Sequence, residues 1–400
     1  MKPKILQVHN RYLRPGGEDT VLAEEYALLQ ENGHTVEQLF VSNEEIRSSK
    51  AEVVLTGLKT VWSPSGYKTV SEAIRHFEPD LVHIHNTFPL LSPSVYWASQ
   101  AQRVPVVQTL HNYRLTCANG LLLRDGRPCE DCVGVLPIPA LRHRCYKHSL
   151  VASASLAAMQ VVNRAIGSYQ TKVDSYIVLT QFAKAIMVRA GLPEAKVIVK
   201  PNFIWDSQPT AGPRKDQIVF VGRIDKEKGV DLLIEAWNAL QPETTRLVII
   251  GDGPERTALE ALTSETGSVE WRGQIDRRQV LEEVQRSRFL VLSSRWYEGF
   301  PMVLLEALCA GTPAIVPSLG ALPELIGQGR AGLVFTGGNS GSLQAILAEA
   351  IALKAVDWLQ KSKLARQTYT DNYTPEANYQ QLALIYDTVL QQHDAKKGRA

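Results

Sequence analysis

The chain has 400 residues, of which 44% are hydrophobic and 21% are charged, and these proportions exclude a disordered chain. The net charge of +2 gives no reason to expect a nucleic acid as the partner. A chain of this length is too long for one ordinary hydrophobic core, so we expect two domains.

The N-terminus and the cysteines bear on the cellular compartment. The opening residues MKPKILQVHN lack the apolar stretch and the cleavage site of a signal peptide. The sequence contains no uncharged apolar run of about 18 residues that would predict a membrane-spanning helix. Five cysteines without a secretion signal are typical of a reducing compartment. We therefore expect a cytoplasmic protein.

Short β-branched segments alternate with longer amphipathic segments along the chain. The predicted strands span residues 4–8, 81–85, 105–110, 175–179, 196–200, 217–222, 246–251, 269–272, 288–293, 312–317 and 331–335. Helical patterns cover residues 20–32, 229–240 and 341–354, and an exposed amphipathic helix is predicted over 375–393. Several strands are continuous apolar runs, as in parallel sheets that are buried on both faces. The pattern predicts an α/β protein with two doubly wound, Rossmann-like domains.

The domain boundary is predicted from a proline-rich connector, residues 201–216, which lies between two strand patterns. We expect an N-terminal domain over residues 1–205 and a C-terminal domain over 206–375. The final segment, 376–400, is predicted to hold a helix and a basic tail.

The strongest motif is WYEGFPMVLLEALCAGTP, residues 296–313, which follows a predicted strand. Ligands of open α/β sheets bind at the carboxyl ends of strands. We expect a helix to begin near Pro301, because proline suits the first helical turn. The free amides of Met302, Val303 and Leu304, together with the positive end of the helix dipole, can then hold a phosphate.

Two carboxylates accompany this helix. Glu306 lies about 7.5 Å along the helix axis, where it can reach the hydroxyls of a ribose. Glu298 precedes the helix and can reach a hexose beyond the phosphate. The alternative is that Glu298 only caps the helix and that Glu306 is solvated.

A second motif, FVGRIDKEKGVDLLIEAW, covers residues 220–237. A strand is predicted to end at Gly222 and a helix to begin near Gly229. Arg223 and Lys228 lie between them and are placed to flank an anion at the edge of the same sheet. The alternative is that both are solvated surface cations.

A third motif, HNRYLRPGGEDTVLAEEYALL, covers residues 9–29 and contains Gly16 and Gly17 between a strand and a helix. A glycine pair lets the backbone approach a ligand without a Cβ clash. The alternative is an ordinary strand-to-helix turn, because many such turns contain glycine.

Three features together resemble glycosyltransferase family 4, which has the GT-B architecture of two facing Rossmann-like domains. They are the spacing of Glu298 and Glu306, the loop GRIDKEKG and the early turn at Gly16 and Gly17. The resemblance covers nearly the whole chain. It implies a retaining transferase that takes a sugar from a nucleotide diphosphate.

The resemblance also implies roles for individual residues. The equivalents of Arg223 and Lys228 bind the donor diphosphate, that of Glu306 binds the ribose, and that of Glu298 contacts the donor sugar. His111, in TLHNYR, matches a histidine close to that sugar. For His111 the alternative is a buried structural histidine.

Further expectations follow from the resemblance. One of His83 and His85 is expected to pack in the core and the other to line the cleft. The donor is UDP- or GDP-linked, and the acceptor is a glycan, a lipid-linked molecule or a small molecule. The last helix is expected to cross back to the first domain, and the cleft between the domains to close about the connector 201–216 and the segment before that helix.

No Asp-x-Asp pair occurs in the sequence, so we expect no metal cofactor in the chemistry. Fixed electrostatics from a helix N-terminus, Arg223 and Lys228 would stabilise the leaving diphosphate instead. The departing phosphate itself would then accept the proton of the acceptor.

Four cysteines, Cys117, Cys129, Cys132 and Cys145, fall within a 29-residue insertion, 117–145. One C-x2-C pair with two flanking thiols can supply the four ligands of a structural zinc. A redox pair at Cys129 and Cys132, or ordinary packing, are the alternatives.

The basic cluster RHRCYKH, residues 142–148, is suited to an anionic acceptor or a membrane surface, or is a solvated loop. Peripheral contact with the inner face of the membrane is therefore a hypothesis. Two other classes of protein stay open: a sugar-nucleotide 2-epimerase of the same architecture, and a non-catalytic nucleotide-sugar-binding protein. The sequence makes no prediction of the oligomeric state.

Overall fold

The computed structural model describes residues 2–12, 16–43, 50–206, 212–263 and 267–397. The chain divides into two compact units. The first domain comprises residues 1–122, 130–202 and 378–400, and the second comprises 123–129 and 203–377. The central part of the predicted connector, residues 207–211, lies outside the described residues.

The helices and strands follow one another in the order β1 (Ile5–Arg11), α1 (Gly17–Glu31), β2 (Val36–Ser42), α2 (Lys50–Val61), α3 (Pro64–Phe77), β3 (Leu81–Asn86), α4 (Ser94–Ala101), β4 (Val106–Leu110), β5 (Leu123–Arg124), β6 (Arg127–Pro128), α5 (Ile138–Arg142), α6 (Leu150–Ala165), α7 (Ser168–Thr171), β7 (Ser175–Val178), α8 (Gln181–Arg189), β8 (Val197–Val199), β9 (Gln217–Val221), α9 (Val230–Leu240), β10 (Arg246–Ile250), α10 (Arg256–Ala261), β11 (Val269–Gly273), α11 (Arg277–Arg286), β12 (Phe289–Val291), α12 (Met302–Cys309), β13 (Ala314–Pro317), α13 (Leu322–Leu325), β14 (Gly332–Phe335), α14 (Ser340–Ala352), α15 (Ala355–Asn372) and α16 (Pro375–Lys397). Each strand predicted from the sequence is present.

Each domain is built on a six-stranded parallel sheet. The order is β2-β1-β3-β4-β7-β8 in the first domain and β11-β10-β9-β12-β13-β14 in the second. The strand order reverses between β1 and β3 in the first sheet and between β9 and β12 in the second. Ligands of doubly wound folds bind at such switch points. The prediction of two Rossmann-like domains is therefore confirmed.

The sheet of the second domain is buried on both faces. Ile218 and Phe220 of β9 pack in one apolar cluster, and Val219 between them packs in another. This alternation is the two-residue period of a strand, and it explains why buried parallel strands are apolar at successive positions.

The last helix, α16, packs in the core of the first domain. Its residues Leu382, Ile385, Tyr386 and Val389 share a cluster with Ile5, Leu81, Val107 and Ile177. The spacing of the helical residues is that of one helix face. The predicted helix is therefore present and packs on the first domain as expected, with its apolar face against the sheet.

Three strands were not predicted. The strand β2 (VEQLFVS) lies at the sheet edge and is half-buried along its length, so its apolar pattern is weak. The short strands β5 and β6 form an antiparallel hairpin in the cysteine-containing insertion. Among the described residues, no helix is both long and apolar enough to cross a membrane.

Candidate donor site and the histidine cluster

The two motifs of the second domain follow neighbouring strands. The loop of the motif at 220–237 follows β9 and the motif at 296–313 follows β12, and these strands pair in parallel at the switch point. The hydroxyl of Ser293 donates to the carbonyl of Lys228 over 2.9 Å, and the amide of Arg295 donates to the carbonyl of Glu227 over 2.9 Å. The two loops are thus bonded to each other.

The loop after β9 has a compact backbone. Asp225 caps a short 3₁₀ turn by accepting from the amide of Lys228. Gly229 follows with a φ of +65°, and a Cβ there would lie 2.2 Å from the carbonyl oxygen of Ser293. Only glycine fits this position, which brings Lys228 against the loop after β12.

Lys228 and Glu298 form an ion pair at the centre of this site. The Nζ atom of Lys228 lies 2.6 Å from Oε1 of Glu298, whose side chain is only 5% exposed. The hydroxyl of Ser294 donates to the same oxygen over 2.6 Å. The alternative in which Glu298 is only a helix cap does not describe these contacts.

Arg223 lies in a more open position. Its guanidinium pairs with Asp225 at 2.6 Å, and 73% of its side chain is exposed. Burial raises the pKa of Asp225, and the charge of Arg223 opposes that rise. Arg223 therefore presents most of its surface to solvent, where an anionic ligand can reach it.

The helix α12 begins at Met302, one residue later than expected, with Pro301 as its N-cap. The amide of Leu304 donates to the carbonyl of Pro301 over 3.0 Å. The expectation of a free amide at Leu304 is therefore wrong, because the first turn tightens around Pro301. The contact of Met302 and Val303 with a phosphate stays a prediction.

Glu306 lies in the middle of α12, and its side chain is only 11% exposed. Burial raises its pKa, and Arg277, 3.5 Å away, opposes the rise. The alternative of a merely solvated carboxylate is thus inconsistent with its position.

The switch point of the first domain carries the predicted glycine turn. The amide of Gly16 donates to the carboxylate of Asp19 over 2.8 Å, and a Cβ on Gly16 would meet nothing within 4 Å. Gly17 is the first residue of α1. Next to it, burial raises the pKa of Glu18 to about 7. Residues 13–15 of the turn lie outside the described residues.

His111 follows β4 and stacks on His85, which lies near the end of β3. Their rings are 5.4 Å apart at 18°, with Nδ1 of His85 3.2 Å from Nε2 of His111. Both line a pocket of the first domain. Burial lowers the pKa of His85 to about 4 and that of His111 well below its usual range, so both rings are neutral at pH 7.

A buried carboxylate holds the other end of this stack. Glu25 of α1 lies 3.2 Å from Nε2 of His85, 3.1 Å from Nδ1 of His83 and 3.5 Å from the ammonium of Lys200. Burial alone would raise the pKa of Glu25, but the two histidines and Lys200 hold it well below its usual range. His83 is the core histidine of the pair, because it also contacts Tyr386 and Thr109.

Family models match both halves of the chain. A model described as "Glycosyl transferase 4-like domain" matches residues 16–202, and one described as "Glycosyl transferases group 1" matches residues 203–369. The chain belongs to this glycosyltransferase family. Both matches run through the motifs described above.

Individual relatives agree with this assignment. The glycosyltransferase is 27% identical to the putative teichuronic acid biosynthesis glycosyltransferase TuaC of Bacillus subtilis, over 81% of this chain and 69% of TuaC. It is 23% identical to the phosphatidyl-myo-inositol mannosyltransferase of Mycolicibacterium smegmatis, over 94% of this chain and 91% of that one. A crystal structure of Anabaena HepE with UDP and glucose has the same fold, with a TM-score of 0.66, 18% identity and coverage of 96% of this chain and 100% of HepE.

Two features of the glycosyltransferase were not found from the sequence. Glu25 is the first; it occupies an ordinary helical position, and only the fold brings it to His85. The second is the loop after β10, where a Cβ on Gly253 would lie 2.3 Å from the carbonyl oxygen of Ile224. The glycines of the sequence GDGPE, residues 251–255, were the available signal for this close approach.

One group of side chains in the first domain has the spacing of metal ligands. Among the described residues, Glu25, His83 and His85 form a group whose ligating atoms lie within 4.8 Å of one another. Lys200 already neutralises Glu25 there, so the group is a buried ion cluster. Cys132 and Cys145 pack against an apolar cluster that includes Ala140. The four-cysteine zinc site stays a prediction.

Proposed function

We propose that this glycosyltransferase takes its sugar from a nucleotide-diphosphate donor bound at the switch point of β9 and β12. The observation that supports this most is the contact of Lys228 with Glu298, which joins the two motifs at one place. Lys228 is a cation that can bind a phosphate, and Glu298 is a carboxylate that can bind sugar hydroxyls. The two side chains are in hydrogen-bond contact with each other.

Different residues at this edge of the sheet bind different parts of the donor. Arg223 and Lys228 bind the diphosphate, helped by the amides of Met302 and Val303 at the start of α12. Glu306, farther along α12, accepts hydrogen bonds from the ribose. HepE, a structural neighbour, was crystallised with UDP and glucose, and we propose a UDP- or GDP-linked hexose as the donor of this chain.

The reaction we propose retains the anomeric configuration. The bond between the anomeric carbon and the phosphate oxygen breaks, and the acceptor hydroxyl attacks the same face of an oxocarbenium-like sugar. Its proton passes to an oxygen of the departing phosphate. Glu298 contacts the sugar. The family resemblance implies that His111 lies close to the same sugar, and a neutral imidazole can accept or donate a hydrogen bond.

Metal independence is part of this proposal. The cations Arg223 and Lys228 replace a divalent ion as the partner of the diphosphate. Brief chelation should leave the transfer rate nearly unchanged, and NMR of the product should show the donor configuration preserved. A strict requirement for a divalent metal, or an inverted product, would contradict the proposal.

For the acceptor we propose a hydroxyl of a glycan, a lipid-linked molecule or a small molecule. The relatives are named for teichuronic acid biosynthesis and for phosphatidyl-myo-inositol mannosylation, which favours the first two. We place the enzyme in the cytoplasm, in peripheral contact with the membrane.

We further propose one structural zinc, bound by Cys117, Cys129, Cys132 and Cys145. The C-x2-C spacing supports it, and the zinc would order the insertion without entering the chemistry. Elemental analysis of protein purified without metal-affinity resin tests it. Well under half an equivalent of zinc, with four readily alkylated thiols in the folded protein, would refute the site.

The donor itself is identified by binding. The full chain is incubated with UDP- and GDP-linked hexoses, and the rise in its unfolding temperature is measured, since a ligand stabilises the folded state in proportion to RT ln(1 + [L]/Kd). One donor class should stand out and support transfer to an added acceptor. Conversion of the donor to an epimer without an acceptor would show an epimerase instead.

A further inference from the structure

Exposed large apolar side chains are concentrated on one part of the first domain. The described residues include fifteen of them, and eleven lie in or beside α2, before or within α5, or in or beside α6: Leu55, Leu58, Trp62, Val135, Leu136, Ile138, Leu150, Val151, Val161, Val162 and Ile166. The other four, Leu262, Val356, Leu359 and Leu384, lie on other elements. Such a concentration marks an interaction surface rather than the scatter usual on soluble proteins.

The three stretches are neighbours in the fold. The helix α2 packs closely on α6, because a Cβ on Gly57 would lie 2.4 Å from Oγ of Ser155. The side-chain amide of Asn163 donates to the carbonyl of Val61 over 3.0 Å at the other end of this contact. On the opposite flank, Arg164 donates to the carbonyl of Val135 over 3.4 Å. We call the eleven residues together the apolar face.

The helix α6 has apolar residues where a surface helix is normally polar. Its inward side is buried and includes Leu156 and Met159. Its outward side carries only uncharged small or apolar residues at helical spacing, namely Leu150, Val151, Ala154, Ala158, Val161, Val162 and Ala165. A helix that is apolar on both sides is covered on both sides in its working state.

The part of the chain that carries α5 and α6 is positively charged. From Val133 to Val173 the sequence has five lysines and arginines and no aspartate or glutamate. Arg142, Arg144 and Lys147 are exposed and directly precede α6. A second copy of the chain would present the same cations to this cluster in a two-fold contact, which is unfavourable. An anionic lipid surface complements both the apolar side chains and the charge.

We propose that the apolar face docks on the surface of an anionic lipid bilayer. The apolar side chains of α2, α5 and α6 enter the boundary between headgroups and acyl chains, and the cations that precede α6 lie against the phosphates. This docking identifies the surface that makes the membrane contact, and it depends on no property of the donor site.

The test uses the full chain and extruded vesicles. One set contains phosphatidylcholine alone, and the other contains phosphatidylcholine mixed with phosphatidylglycerol. We expect the protein to sediment with the mixed vesicles and not with the neutral ones, and added salt to weaken that binding. Equal binding to both sets would overturn the part played by the cations.

Two groups of variants separate the contribution of the apolar side chains from that of the cations. The pair Leu150→Ser and Val151→Ser should weaken vesicle binding about tenfold, because both side chains then leave the lipid boundary. The control pair is Val356→Ser and Leu359→Ser, which is similarly exposed on α15 and should have no effect. Loss of binding in the control pair as well would overturn the assignment to this face.

The cations are changed in the same way. The triple change Arg142→Gln, Arg144→Gln and Lys147→Gln should weaken binding about a hundredfold, since each cation near an anionic surface contributes about fivefold. The control triple is Arg278→Gln, Lys354→Gln and Lys363→Gln, which are exposed cations of the second domain.

Sedimentation velocity tests whether a second copy of the chain, and not a bilayer, covers the apolar face. A dimer that dissociates in the Leu150 and Val151 variant, without vesicle binding by the wild type, would show that a second copy covers the face. Folded protein that ignores anionic vesicles would also overturn the proposal. Nucleotide binding is measured in parallel on each variant, so failure of lipid docking and failure of the donor site are told apart.

Discussion

The ammonium of Lys228 and the carboxylate of Glu298 lie 2.6 Å apart although 70 residues separate them in the chain. The pair stands where the strand order of the second sheet reverses, between β9 and β12. Because an ammonium has three N–H donors, Lys228 could bind a diphosphate and still keep its contact with Glu298.

The first prediction concerns Glu298. Glu298→Gln should lower kcat at least about tenfold, because a carboxylate contact to the sugar is lost, while the Kd of a nucleoside diphosphate without sugar changes less than about threefold. Steady-state kinetics and calorimetry measure the two effects. Glu243→Gln, an exposed carboxylate of the same domain, is the control. An unchanged kcat would remove Glu298 from the reaction.

The second prediction concerns Gly229. Gly229→Ala should destabilise the second domain by about 2 kcal/mol or more, since it combines a positive φ with a Cβ that overlaps the carbonyl of Ser293. Gly338→Ala is the control, because Gly338 also has a positive φ, +72°, but open space around a Cβ. Calorimetric unfolding should show the larger loss for Gly229→Ala. Equal losses would mean that the close approach of the two loops is unimportant.

The third prediction concerns the buried carboxylate of the first domain. Glu25→Gln should destabilise that domain by about 3–5 kcal/mol, because Lys200 and His85 lose their anionic partner in a buried position. Glu31→Gln, an exposed residue at the end of the same helix, should change the free energy of unfolding by less than about 0.5 kcal/mol. Denaturant unfolding, monitored by hydrogen exchange at β3, measures the stability of both variants. Equal stability of the Glu25→Gln and Glu31→Gln variants would refute the ion cluster.

The fourth prediction concerns pH. Burial lowers the pKa values of His9 and His85 to about 4, below the value of about 6.5 in an unfolded chain. The unfolded state therefore binds more protons between these values, so stability is full above about pH 6.5 and is lost as the pH falls toward 4. At about pH 5 the loss is on the order of 2 kcal/mol per histidine. Unfolding midpoints measured at about pH 5 and at about pH 6.5 give this loss of stability.

The control for the pH effect is a pair of histidine variants. His85→Gln should flatten the dependence of the unfolding midpoint on pH, whatever its effect at neutral pH. His143→Gln, which removes an exposed histidine, should leave the dependence as in the wild type. A dependence that survives the His85 change in full would assign the titration to other groups.

The fold could be predicted from local patterns because buried parallel strands are apolar at successive positions. The edge strand β2 could not be predicted, because its residues are half-buried and mix polar with apolar side chains. The burial of α16 depends on Tyr386 meeting the sheet near His83, and no local pattern contains that contact.

The second-domain site could be predicted because its residues stand in two short motifs after adjacent strands. Two details depended on backbone geometry instead: the bond from Leu304 to Pro301 and the pairing of Lys228 with Glu298. The cluster of Glu25 with His85 could not be predicted from the sequence. A helix and a strand bring these two residues together, and no fixed spacing along the chain marks such a contact.

The most direct test of the account is donor use by variants of the loop after β9. Arg223→Ala and Lys228→Ala should each lower kcat/KM for the nucleotide sugar about ten- to a hundredfold, as one charge-assisted contact of about 1.5–3 kcal/mol is lost. Lys226→Ala, an exposed cation of the same loop, should leave kcat/KM unchanged. Transfer at wild-type efficiency by both the Arg223 and the Lys228 variants would contradict the proposed donor site.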